Sequence, residues 1–169
     1  MNATAGLPTA GEPRESVDVP RSRTIVAVVV GWRGRTALFR RSAAVDHDRG
    51  RWHCVTGYLD AKVTPAQQAL VELQEETGLG VVALHSFSSG RVLHLEDGDG
   101  RTWRVHTFKA ETGQRRLKLN HEHDAYRWVR PCDVPRFGNR VSWLDRVLAA
   151  TAAVVAADDR EAGQAERVR

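Results

Sequence analysis

The most regular apolar–polar pattern in the chain lies between Thr64 and Gly78. Set on a 3.6-residue period, Ala66, Ala69, Leu70, Leu73 and Thr77 share one stripe, which predicts an amphipathic helix with that stripe buried. Thr64 is a good N-cap, and Pro65 already has the backbone angle of a first helical residue. Gly78 can adopt the left-handed conformation that ends a helix. Upstream, Arg23–Trp32 is β-branched and almost unbroken in its apolar character, as in a strand buried on both faces. Arg33-Gly34-Arg35 reads as a tight turn, and Thr36–Arg41 returns as the second strand of a hairpin. Ser42–Arg51 is polar and loop-like, and Trp52–Thr56 is a strand leading into Gly57.

Beyond the helix, Gly80–Ser89 and Gly90–Glu96 read as strands. Asp97-Gly98-Asp99-Gly100 is a strong hairpin signal, followed by a strand over Thr102–Glu111 in which Trp103, Val105 and Thr107 alternate with Arg104, His106 and Phe108. Pro131–Arg140 carries two prolines and reads as a loop. Val141–Ala157 is Ala-rich with Val147, Leu148, Val154 and Val155 at helical spacing, and Ser142 is its expected N-cap. Residues 1–21 and 158–169 lack periodicity and are expected to be flexible tails, which leaves one domain over 22–157. Strands, a helix, more strands and a last helix describe an α+β fold of the α/β/α sandwich kind.

The helix raises a question of charge. Glu72, Glu75 and Glu76 sit at i, i+3 and i+4, where like charges repel. No Lys or Arg occurs between Thr64 and Gly80 to relieve them. A solvated acidic face is the plain explanation. The sharper one is a divalent-cation site, and oxygen-only ligation suits Mg²⁺ or Mn²⁺ rather than zinc. His121 and His123 invite a zinc reading, but no cysteine pair completes a zinc ligand set.

Gly57–Leu79 resembles the Nudix box: Gly, five residues, Glu, seven residues, Arg-Glu, an aliphatic, any residue, Glu-Glu, any residue, Gly, an aliphatic. Gly57, Glu72, Leu73, Glu75, Glu76, Gly78 and Leu79 match in register. Val63 stands where the pattern has its first Glu, and Val71 where it has Arg. The resemblance covers about Arg23–Ala157 and implies a mixed sheet between helices, with Gly57 letting a loop bend sharply beside the motif helix. It also implies that Glu72, Glu75 and Glu76 hold Mg²⁺, or Mn²⁺, for hydrolysis of a phosphoric anhydride. The motif Arg pairs with carboxylates in that family, so Val71 implies a lost orienting contact, and Val71→Arg is expected to tighten metal binding or raise turnover. Asn120-His121-Glu122-His123 is similar to a Glu-His that precedes a strand ending in Trp-Val, which makes Glu122 a candidate base or outer metal ligand. Arg41 and Arg51 are candidates for phosphate contact, weighed against simple surface solvation. Trp52 occupies a place where the family often has Trp, and is a candidate substrate contact.

Composition narrows the rest. A chain of 169 residues, 41% hydrophobic and 27% charged, can build one ordinary globular core. Cys54 and Cys132 give no disulfide framework and fit a reducing cytoplasm with buried thiols. Thr24–Trp32, the longest apolar run, is too short to span a membrane, and the N-terminus lacks the basic-then-apolar order of a secretory signal. The net charge is +4. No basic block has interleaved aromatics, which argues against nucleic acid as a partner. A small nucleotide is the expected partner: a nucleoside diphosphate derivative or a nucleoside triphosphate. Trp32, Trp52, Trp103 and Tyr126 are the stacking groups that could select it. The alternative is a Nudix-fold protein that binds a nucleotide as a sensor without turnover; a third reading, an acidic face docking a basic partner, fits the motif poorly. The oligomeric state stays open, although dimers occur in the family.

Overall fold

A computed structural model describes residues 23–96 and 100–152. The expected tails, the tip of the Asp97-Gly98-Asp99-Gly100 turn, and Val154 and Val155 lie outside the described residues. The first strand, β1 (Arg23–Trp32), is the hub of the fold. Its side chains alternate strictly. Val26, Val28 and Val30 enter one apolar cluster, while Ala27 and Val29 enter another on the opposite face. That two-sided burial is what the unbroken apolar run predicted.

The neighbours of β1 come from distant parts of the chain. It turns into β2 (Arg35–Arg41) through Arg33 and Gly34, both at positive φ, but the hairpin pairs only at Gly31↔Thr36 and Trp32↔Arg35. Along most of its length β1 pairs instead with β4 (Val55–Tyr58) and, in parallel, with β7 (Thr102–Thr112). The strand expected over Trp52–Thr56 is split at Cys54 into β3 (Trp52–His53) and β4. β3 pairs with β2, as does β8 (His123–Val129). β5 (Leu84–Ser89) and β6 (Leu93–Glu96) both pair antiparallel with β7. The Glu96↔Thr102 register is that of strands joined by the turn the sequence signalled. Among the described residues this makes one mixed sheet of eight strands.

Three expectations need correction. The last helix begins at Leu144, so Ser142, in the turn before it, is not its N-cap. Gly80–Ala83 does not extend a strand; Val81–Ala83 forms a 3₁₀ turn that carries the chain from the helix to the sheet. Pro131–Arg136, expected as loop, is also a 3₁₀ turn, started by Pro131 at its first position.

The helix α1 (Pro65–Thr77) ends where its caps require. The Thr64 hydroxyl accepts a hydrogen bond from the Gln67 N–H, while the Gln67 side chain accepts one from the Thr64 N–H. This reciprocal box satisfies two amides that a bare helix start would leave open. Gly78 closes the other end at φ 73°, donating to the Gln74 carbonyl. Ala69 and Leu73 of α1 pack on the cluster formed by Val26, Val28, Phe39, Val55 and Phe108. A second helical segment, 144–152, covers the opposite face, where Leu144 and Val147 meet Ala27, Val29, Leu38 and Val105. The result is the expected α/β/α sandwich, with α1 lying across β4 and β1.

Candidate active site

Glu72 is the half-buried member of the α1 glutamates. Its carboxyl lies so close to the backbone of Gly57 in β4 that any Cβ at position 57 would collide with it. This corrects the expected role of Gly57. Its φ is not positive, and it sits inside a strand ladder opposite Val26. The glycine provides clearance for a carboxylate rather than a sharp bend.

The Glu72 carboxylate is held from within the helix. Gln68 Nε2 donates to Glu72 Oε1 at 2.8 Å, one turn away. The other end of the same amide accepts from the Asp60 N–H at 3.3 Å, which fixes its orientation. Val71, at the position of the missing arginine, is 47% exposed and touches none of this. The contact expected to be lost with the arginine is thus replaced by Gln68, a residue the sequence reading passed over. Burial pushes the Glu72 pKa up, the Gln68 hydrogen bond opposes that shift, and Glu75 and Glu122 reinforce it.

Glu76 is unlike its neighbours. It is 1% exposed, although the apolar stripe did not include it. Neither carboxylate oxygen makes a well-formed hydrogen bond within the protein, although the Thr56 backbone lies near enough to favour the charged form. Burial raises its pKa well above the usual carboxylate range, and Glu122 and Glu72 raise it further; the Thr56 backbone and Arg41 pull the other way. His123 Nε2 lies 3.6 Å from its Oε2. His123 in turn lies 2.8 Å from His53, Nε2 to Nε2. One of those nitrogens must donate and the other accept, so both rings cannot be doubly protonated together. Burial lowers both pKa values, that of His123 to about 4. At neutral pH the imidazoles are uncharged and do not neutralise Glu76.

Glu122 arrives from the segment before β8. The Ser42 N–H donates to its carbonyl at 2.8 Å, the Ser42 hydroxyl donates to the His121 carbonyl, and the Glu122 N–H donates to Asn120 Oδ1. These bonds tie the segment to the end of β2 and bring Glu122 into the field of Glu72 and Glu76. Glu75 is exposed at the rim. Arg41 acts electrostatically on Glu76, His53 and His123, and its Nε donates to the His47 carbonyl. The other two expected substrate contacts are placed elsewhere. Arg51 faces Asp48 at 3.6 Å in the exposed loop. Trp52 packs edge-on against Phe137 in the cluster on the sheet face away from α1. Among the described residues, no three His, Cys, Asp or Glu side chains converge as a ready metal cage.

Residues 20–150 match the family model described as NUDIX domain. The chain belongs to the Nudix family. The helix α1, with Glu72, Glu75 and Glu76, falls within the matched residues. Over 130 residues the chain is 37% identical to the octanoyltransferase of Myxococcus xanthus, covering 72% of this chain and 34% of that protein. The chain thus spans only a third or so of that relative. Solved Nudix folds are similar at lower identity. The NUDIX domain of Shewanella oneidensis NrtR, complexed with ADP ribose, aligns at TM-score 0.62 and 15% identity over 75% of this chain and 84% of that one. The E. coli dihydroneopterin triphosphate pyrophosphohydrolase aligns at TM-score 0.62 and 21% identity over 75% and 93%. A bifunctional NMN adenylyltransferase/ADP ribose pyrophosphatase of Francisella tularensis, complexed with AMP and Mn, aligns at 0.64 and 14% over 78% and 41%. At these identities the likeness concerns the fold. Within that fold the Nudix helix and β4 are in place, while Val63 and Val71 lie exposed on the helix approach and on α1.

Proposed function

We propose that this Nudix protein hydrolyses a phosphoric anhydride in a nucleoside diphosphate derivative or nucleoside triphosphate, with Mg²⁺ or Mn²⁺ as cofactor. One observation carries the reading: the Glu76 carboxylate is buried, makes no well-formed hydrogen bond, and lies in the field of two further carboxylates. A buried carboxylate without compensation costs on the order of several kcal/mol. The hard oxygen donors of Glu72, Glu75 and Glu76 fit a divalent cation of that kind. A bound divalent ion would draw charge from phosphate oxygens and acidify a coordinated water.

The chain's own groups divide the remaining work. Gln68 keeps Glu72 turned toward β4. Gly57 leaves the space that its carboxylate fills. Glu122 lies in the field of Glu72 and Glu76 and is the candidate to accept a proton from an attacking water. Arg41 offers positive charge for a phosphate oxygen beside the same cluster. The neutral His53–His123 pair adds no charge of its own, so Arg41 is the cation that acts on Glu76 among the described residues.

A second reading has support of its own: a Nudix fold that binds nucleotide without cleaving it. Two motif positions are valines, and the M. xanthus relative is a longer protein named for acyl transfer, so the fold can accompany a different chemistry. Incubation with Mg²⁺ and a panel of nucleotide sugars, dinucleotides and triphosphates separates the two. Product release that disappears with Glu76→Gln supports hydrolysis. A ligand-dependent rise in melting temperature without product favours binding alone. No helix among the described residues is long and apolar enough to cross a membrane.

A further inference from the structure

At the far end of β2 and β8 from the glutamates lies a cleft of about 400 Å³ lined by Arg35, Arg115, Arg127, Arg130, Trp128 and Asp133. Arg35 and Arg41 mark the two ends of β2, about 20 Å apart at the rise of a strand. The cleft is therefore separate from the carboxylate site.

Its charge is unbalanced. Asp133 is already committed to Arg130 at 2.7 Å and Arg136 at 3.1 Å. Arg35, Arg115 and Arg127 make no ion pair among the described residues. Asp133 is the one carboxylate among the lining residues, so the arginines are in excess there and repel one another, as the α1 glutamates do.

The cleft is also built, not merely charged. Arg115 comes from a loop, and its carbonyl accepts hydrogen bonds from Trp128 Nε1 at 2.8 Å and the Tyr126 hydroxyl at 3.3 Å. Those two bonds fasten the loop to β8. The Arg115 guanidinium lies 5.7 Å from the centroid of Trp32, whose ring is 5.6 Å from that of Trp128. Cation–π contact holds that arginine's plane while leaving its N–H donors unpaired.

We infer that this cleft is a second, metal-independent binding site for a small oligophosphate, held by Arg35, Arg115 and Arg127 beside Trp128. Guanidinium forks match phosphate oxygens in pairs, and three of them suit a chain of phosphates better than a single carboxylate. The source is either a free polyphosphate or the phosphate chain of a nucleotide, whose ring would add contact with the indole.

The test uses the full chain in buffer with a chelator, so that the glutamates hold no cation. Inorganic tripolyphosphate and ATP are titrated by calorimetry in separate arms. Saturable binding of tripolyphosphate is expected, and tighter binding of ATP would identify the nucleotide as the source. The Arg35→Glu/Arg127→Glu double variant should bind about tenfold more weakly or worse. Arg127→Gln, a mild change at an exposed position, should show a smaller loss and guards against misfolding of the double variant. Glu76→Gln and Arg104→Glu, an exposed arginine on β7, should bind as the unaltered chain does. Absence of binding in chelator, equal weakening by Arg104→Glu and Arg127→Gln, or loss with Glu76→Gln would each overturn the inference.

Discussion

The two faces of the sheet are built from the same strands but to different specifications. On the face under the 144–152 helix, Ala27, Val29, Leu38, Cys54, Val105, Leu144 and Val147 form an apolar cluster, which the His53 ring meets only at Trp143, 6.4 Å between centroids. On the face under α1, apolar packing of similar kind surrounds His53, His123 and Glu76, all nearly inaccessible. The first face lowers the free energy of folding. The second gives part of that up, since a buried carboxylate without a partner is destabilising until a ligand compensates it. Alternate residues of β1 serve the two faces, so a chain position one residue away can belong to stability or to chemistry.

That contrast can be broken from either side. The largest effect on stability is expected from Leu144→Ala, which should cost about 2–5 kcal/mol in denaturant unfolding. Any nucleotide hydrolysis should keep its turnover at temperatures where that variant remains folded. Glu76→Gln should act in the reverse direction: more stable than the unaltered protein in chelator, and inactive. Its advantage should depend on pH. The folded-state pKa of Glu76 is raised, so its contribution to stability is full below the unfolded carboxylate range and declines as pH rises through the folded value. The gap in melting temperature between Glu76→Gln and the parent should therefore widen from acid toward neutral pH. A constant gap would show that Glu76 is not held in the environment described. Gln68→Leu keeps the helix and removes the Glu72 hydrogen bond; metal affinity should fall about tenfold, with little change in unfolding. The smallest effect concerns the thiols. Cys54 is buried with its pKa pushed up to about 12, whereas Cys132 is exposed, contrary to the expectation that both thiols are buried. A thiol reagent should label Cys132 in the native protein and reach Cys54 only after unfolding.

Local signals made much of this legible in the sequence. Thr64, Pro65 and Gly78 mark α1 to the residue because caps are decided by the residues themselves. The unbroken apolar run of β1 announced burial on both faces. The parallel pairing of β1 with β7 was not legible, because it joins segments some eighty residues apart through contacts that no local pattern encodes. The burial of Glu76 was missed for a related reason. Helical periodicity ranks residues by polarity, and a polar residue turned into the core breaks that ranking. Gln68 was overlooked because the motif directs attention to position 71, whereas the geometry of one helical turn directs it to 68. Trp52 was expected at the substrate because of its place near Gly57, yet strand alternation turns it to the other face.

The central claim is that Glu76 is buried in order to meet a cation. Calorimetric titration of Mn²⁺ into the metal-free protein, alongside Glu76→Gln, tests it without any assumption about substrate. The parent should bind the ion saturably, and the variant should bind it about tenfold more weakly or worse. Equal affinity in the two, or no binding by the parent, would contradict the claim.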